Sequence, residues 1–225
     1  MDESCEVAPN LASRGVSRYP HHVYPTLRDY ITGAMLHMVD VPDTRKALLD
    51  EVARFIELKR RDREAGRLVF VCTHNSRRSQ MAQLWAGAAA AYHGVDQVEV
   101  YSGGTEVTAF HPHAIAAMRR AGFVIDQAEG DNPRYRATFD QHGPVLECFS
   151  KTHGDPVNPA EGFAAIMTCA EADEACPIVA GTELRVPLPY EDPKTADDTP
   201  RAQAAYDTCC QQIATEMLYL FSKLP

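Results

Sequence analysis

Val69-Phe70-Val71-Cys72-Thr73-His74-Asn75-Ser76-Arg77-Arg78-Ser79-Gln80-Met81-Ala82 decides the fold, because it joins a strand pattern to a helix pattern through one polar turn. Leu68 to Val71 is an apolar run too short for a helix and predicts a buried strand. Beyond the turn, Met81, Leu84, Trp85, Ala88 and Tyr92 recur at three and four residues, the spacing of a helix. The turn therefore lies at a helix N-terminus, where unpaired N–H groups and the helix dipole attract an anion. Cys72 opens it, and such a field favours a thiolate. Ser79 is placed to donate a hydrogen bond to the sulfur. Arg78 returns within reach and offers a planar, two-pronged donor to a tetrahedral oxyanion. Thr73, His74, Asn75, Ser76 and Arg77 complete the expected oxyanion cradle.

Outward from this stretch the chain alternates strand and helix, which predicts an α/β fold with three layers around a four-stranded, mainly parallel sheet. The second strand is Val98 to Tyr101, and a helix from about His111 to Ala121 stops at Gly122. Ala164 to Thr168 reads as a third, buried strand. Glu183 to Leu188 is the last and belongs near an edge, because Pro187 has no N–H for a ladder. A closing helix starts near Pro200 with Ala205, Cys209, Ile213, Met217 and Leu220 as its buried stripe. Cys209 and Cys210 are adjacent, so Cys209 alone is taken into the core. Residues 126–163 break the rhythm and read as an inserted hairpin on the active-site side, turning at Asp140-Gln141-His142-Gly143. Its Arg134, Tyr135 and Arg136, with Phe149, Ser150 and Lys151, are expected to border the pocket mouth, cover the sheet edge or meet a second chain.

Ahead of the catalytic stretch, residues 1–23 have no period and read as a mobile tail. Residues 24–66 form a helical extension: Leu27, Ile31, Ala34, Met35 and Met38 share a face, and a second helix capped by Asp43 presents Leu48, Leu49, Val52, Phe55 and Ile56. Two helices cannot make a core alone, so they pack on the catalytic domain of residues 67–225 or on a second copy of the chain, as a homodimer.

The balance of 22 Lys and Arg against 31 Asp and Glu gives a net charge of -9, which argues against non-specific nucleic-acid binding. Positive charge for an anionic substrate is instead concentrated at Arg77 and Arg78. No apolar run approaches the length of a membrane span, and no secretory signal pattern opens the chain. Seven cysteines at irregular spacing do not read as a secreted disulfide framework, so a reducing cytoplasm is expected. His111-Pro112-His113 has no further ligand at metal spacing, and neither metal nor cofactor is expected.

The loop resembles the phosphate-binding loop of the low-molecular-weight protein tyrosine phosphatases and of the arsenate reductases that share their fold. Cys72-Thr73-His74-Asn75-Ser76 and Arg78-Ser79-Gln80-Met81-Ala82 are closer to the reductase branch. The resemblance extends through Tyr101-Ser102-Gly103-Gly104-Thr105 to Glu191-Asp192-Pro193. It implies Cys72 as nucleophile, Arg78 as oxyanion binder and Asp192 as general acid on the leaving oxygen. The run Cys169-Ala170-Glu171-Ala172-Asp173-Glu174-Ala175-Cys176-Pro177 resembles the resolving-cysteine segment of thioredoxin-coupled arsenate reductases. It implies a relay from Cys72 to Cys169 to Cys176 and a thioredoxin-like reductant, with arsenate or phosphate as the bound oxyanion. Were the segment helical, its two cysteines would lie about 10.5 Å apart, too far for a disulfide, so the relay requires it to unwind. Two departures stand out. Arg77 replaces a cysteine of the phosphatases and either tightens oxyanion binding or faces solvent. Gln83 replaces a glutamate with which some reductases bind potassium, which puts that ion in doubt. The alternative is a protein tyrosine phosphatase working through a phosphocysteine.

Overall fold

The computed structural model describes residues 23–175 and 178–225. The 1–23 tail, apart from Val23, and Cys176 with Pro177 lie outside the described residues.

A four-stranded, all-parallel sheet in the order β2-β1-β6-β7 forms the scaffold, from β1 (Gly66–Cys72), β2 (Val98–Gly104), β6 (Phe163–Met167) and β7 (Thr182–Pro187). Side chains alternate across it as the two-residue period of a strand requires. Leu68, Phe70, Ala164 and Ile166 enter the large helical core, while Val69, Val71, Ala165 and Met167 enter a smaller cluster on the other face with Cys72 and Cys169. Pro187 ends β7, an edge strand, where its missing N–H costs no ladder bond.

Helices α3 (Arg78–His93), α4 (Pro112–Ala121) and α6 (Ala202–Ser222) cover the large-core face, and the short α5 (Ala170–Ala175) follows β6 on the other. Gly94 and Gly122 close α3 and α4 in the left-handed conformation at φ 70° and 108°. The expected hairpin exists as β4 (Tyr135–Thr138) and β5 (Leu146–Cys148), and β3 (Val124–Ile125) adds a third strand to make a separate antiparallel sheet.

The N-terminal helices α1 (Pro25–Met35) and α2 (Asp43–Arg61) bury their apolar stripes on α6 and, for α2, on β1 and β7. Of the two packing arrangements open to them, the structure takes the one within the chain. A Cβ on Gly122 would come within 2.4 Å of the Leu27 nitrogen, so the start of α1 is seated tightly on the end of α4. Asp43 does not cap α2: Pro42 holds the N-cap, and Asp43 is the first helical residue, where its charge still suits the dipole. These helices also correct the expectation for α6. Because α1, α2, α3 and α4 wrap it, Cys210 is as buried as Cys209, and its sulfur accepts the Trp85 indole N–H at 3.2 Å.

Candidate active site

β1 delivers Cys72 to the C-terminal edge of the sheet, and α3 begins six residues later, so residues 73–77 wrap the helix N-terminus. That tight loop needs close neighbours. A Cβ on Gly104 would lie 2.6 Å from the Thr73 carbonyl oxygen and 2.8 Å from the Asn75 nitrogen, which explains the glycine at that position. Thr105 and Glu106 then donate backbone N–H bonds to Thr73 O, each at 2.8 Å. Asn75 adopts φ 46°, a left-handed position that asparagine tolerates better than most residues.

The sulfur of Cys72 lies 3.0 Å from Ser79 Oγ, and Asn75 Nδ2 donates to the same Oγ at 2.8 Å. The Ser79 hydroxyl, held by Asn75, is thereby positioned to exchange a hydrogen bond with the sulfur. Asn75 thus serves differently from its expected place in the cradle: its fully buried side chain holds Ser79 and accepts Lys151 N–H at 3.0 Å. Gln80 clamps the same turn through Asn75 O at 3.1 Å and Phe149 O at 2.8 Å. His74 is tethered by its carbonyl, which accepts Ser150 Oγ at 2.7 Å, while its ring faces Glu106 at 3.2 Å. Ser76 Oγ donates to Ala109 O at 2.6 Å. The hairpin's exit, Phe149 to Lys151, therefore buttresses the loop from behind. The cleft itself is lined by Cys72, Thr73, His74, Ser76, Arg77, Arg78 and Asp192.

Arg78 reaches across the cleft. Its Nη2 meets Asp192 Oδ2 at 2.7 Å and its Nη1 donates to Tyr190 O at 3.0 Å, with Glu171 at 4.0 Å. Arg77 lines the cleft without facing open solvent, and its guanidinium is engaged elsewhere. Its Nε donates to Tyr206 Oη at 2.6 Å and its Nη2 to Asp197 at 2.7 Å, so it pins the loop to α6. Tyr206 and Asp197 were not singled out from the sequence, because nothing local to either marks it. Gln83 is also engaged, accepting Ser102 Oγ at 2.6 Å in a buried position.

Cys169, two residues beyond β6, is solvent-excluded in the same small cluster as Cys72. Its sulfur lies 3.5 Å from Thr73 Oγ1 and accepts the Ala172 N–H at 3.4 Å. Burial raises its thiol pKa, and the Thr73 and Ala172 hydrogen bonds oppose that without cancelling it.

Residues 67–140 match the family model for low-molecular-weight phosphotyrosine protein phosphatases. An arsenate reductase of Halalkalibacterium halodurans is 31% identical over 132 residues, covering 59% of this chain and 77% of that protein. The chain belongs to this family of arsenate reductases and low-molecular-weight phosphatases. A second family member, the arsenate reductase of Bacillus licheniformis, is 30% identical over 62% of this chain and 82% of its own length. The crystal structure of a low-molecular-weight protein tyrosine phosphatase from T. tengcongensis superposes with a TM-score of 0.47 at 18% identity, covering 71% of this chain and all of that one.

Proposed function

We propose that the chain reduces arsenate to arsenite through a thiol relay. The observation that carries this reading is Cys169, whose sulfur is held beside Thr73 of the oxyanion loop and in the same buried cluster as Cys72. Hydrolysis of a phosphocysteine uses water and gives such a thiol no task. Reduction needs two electrons from a pair of thiols, and a Cys169 beside the loop supports a reading in which it is the second member of that pair with Cys72.

In the first step the Cys72 thiolate attacks arsenic and displaces an oxygen that leaves as water, protonated from Asp192. Arg78 and the loop amides hold the remaining oxygens. Cys169, as thiolate, then attacks Cys72 Sγ. The sulfur–arsenic bond breaks, its electron pair stays on arsenic, and arsenite leaves as the Cys72–Cys169 disulfide forms. Cys176 attacks Cys169 in turn, restoring the Cys72 thiolate. A thioredoxin-like dithiol reduces the Cys169–Cys176 disulfide by exchange. The reducing cytoplasm is the compartment that suits this cycle; among the described residues, no helix is long and apolar enough to cross a membrane.

The test is arsenite formation with thioredoxin and thioredoxin reductase beside hydrolysis of an aryl phosphate, on wild type and Cys169→Ser. The relay predicts that the variant loses arsenite formation and keeps phosphate hydrolysis. A variant that still turns over arsenate removes Cys169 from the reaction. Wild type that hydrolyses aryl phosphate and forms no arsenite is a phosphatase.

A further inference from the structure

One cluster of metal-ligating side chains stands beside the oxyanion loop and takes no part in the relay. His111 and His113 flank Pro112 at the start of α4, and Asp197 follows the 3-10 turn Pro193–Ala196. The chain distance between them hid the third ligand from a reading of spacing. In the fold His111 Nε2 is 3.7 Å from Asp197 Oδ2 and His113 Nδ1 is 3.5 Å from Asp197 Oδ1, and one ligand atom of each residue lies within 4.8 Å of the others.

We propose that His111, His113 and Asp197 bind a divalent cation of the zinc class. Bond lengths of about 2.0–2.1 Å put tetrahedral ligands roughly 3.3–3.4 Å apart, so ligand atoms that lie within 4.8 Å of one another close by at most about 1.5 Å to complete three vertices. Two imidazoles and one carboxylate are borderline donors suited to zinc, cobalt(II) or nickel(II) rather than to calcium or magnesium. All three residues are half-buried, which leaves the fourth vertex to water or another small ligand.

The surroundings already orient the ligands, as the outer partners of a metal site do. The Tyr206 ring stacks on His111 at 13° between planes, its hydroxyl lies 3.2 Å from His111 Nδ1, and it donates to Asp197 Oδ1 at 2.8 Å. The His113 backbone N–H also reaches His111 Nδ1 at 3.3 Å, so ligation through Nε2 requires the tautomer that carries its proton on Nδ1 and gives it to the Tyr206 hydroxyl. One neighbour opposes a cation. The Arg77 guanidinium holds Asp197 Oδ2 at 2.7 Å, so ion and arginine compete for one carboxylate. Occupancy therefore loosens Arg77, which ties the site to the oxyanion loop.

Cobalt(II) chloride titrated into the full reduced chain, read by its visible d–d bands and displaced with zinc, tests the site. The expected result is one ion per chain without sulfur-to-cobalt charge transfer. Affinity is unchanged in Cys72→Ser and at least about tenfold weaker in His113→Ala. His113 is half-exposed, and an unchanged melting temperature shows that its variant is folded. Absence of stoichiometric binding to wild type overturns the proposal, as does wild-type affinity in His113→Ala. Binding lost in Cys72→Ser places the ion on the catalytic thiolate and overturns it equally.

Discussion

Cys169 and Cys72 lie at the same edge of the sheet, and their chemical settings differ in a way that orders the reaction. Cys72 has the Ser79 hydroxyl at 3.0 Å, while burial holds the Cys169 thiol above its ordinary value. At neutral pH Cys169 is therefore a thiol in the resting chain, and the proposed relay needs it to ionise once the Cys72 adduct has formed. Its folded pKa is raised, so the stability it contributes is full below the unfolded value of about 8.5 and is lost as pH rises through the folded one. The same proton sets the kinetics. In the proposed relay arsenite release needs the Cys169 thiolate, so it is expected to accelerate with pH, by up to about tenfold per unit, until pH reaches the raised pKa of Cys169. Aryl phosphate hydrolysis, which does not use Cys169, lacks that limb. Single-turnover arsenite release and phosphate hydrolysis followed over one pH series check this; superimposable profiles contradict it.

Among the elements, those set by local pattern were the most legible. The turn between β1 and α3 follows from a short apolar run meeting a helical period, and the edge position of β7 follows from Pro187. Elements whose neighbours come from far along the chain were not legible. Cys210 is buried because Tyr30 of α1, Trp85 of α3 and Met118 of α4 close on it. Asp197 and Tyr206 reach Arg77 from 120 and 129 residues away, and Phe149 O reaches Gln80 from 69. Helix α2 has a part in the site for the same reason. Arg45 forks onto Glu216 at 2.5 and 2.7 Å, donates to Pro189 O at 3.0 Å, and lies over the Tyr190 ring at 5.0 Å. Tyr190 O in turn holds Arg78, so α2 steadies the segment that carries Asp192. Arg45→Ala leaves Glu216, 2% exposed, buried without its partner, a loss on the order of 3–5 kcal/mol. Urea unfolding should show it, together with a lower rate of arsenate reduction in the variant that remains folded. An unchanged unfolding midpoint contradicts the pairing.

For the whole molecule, the arrangement of sulfur separates two thiols at the oxyanion loop from three remote ones. Burial lifts Cys148 and Cys209 up to about 12 and Cys210 to about 11, well clear of neutral pH, and none of the three lines the oxyanion cleft. Cys72 and Cys169 share the small core on the other face of the sheet, with α5 packed against them. That helix fills the residues between Cys169 and Cys176, so passing the disulfide outward requires it to open, and its six residues make a small unit to unfold. The central claim is that electrons leave Cys72 through Cys169 before Cys176 takes part. Quenching Cys176→Ser after one exposure to arsenate, with arsenite counted and disulfides mapped by mass spectrometry, tests it most directly. The relay predicts one arsenite per chain, a Cys72–Cys169 disulfide and no cycling with thioredoxin; sustained turnover, or arsenite released without that disulfide, contradicts it.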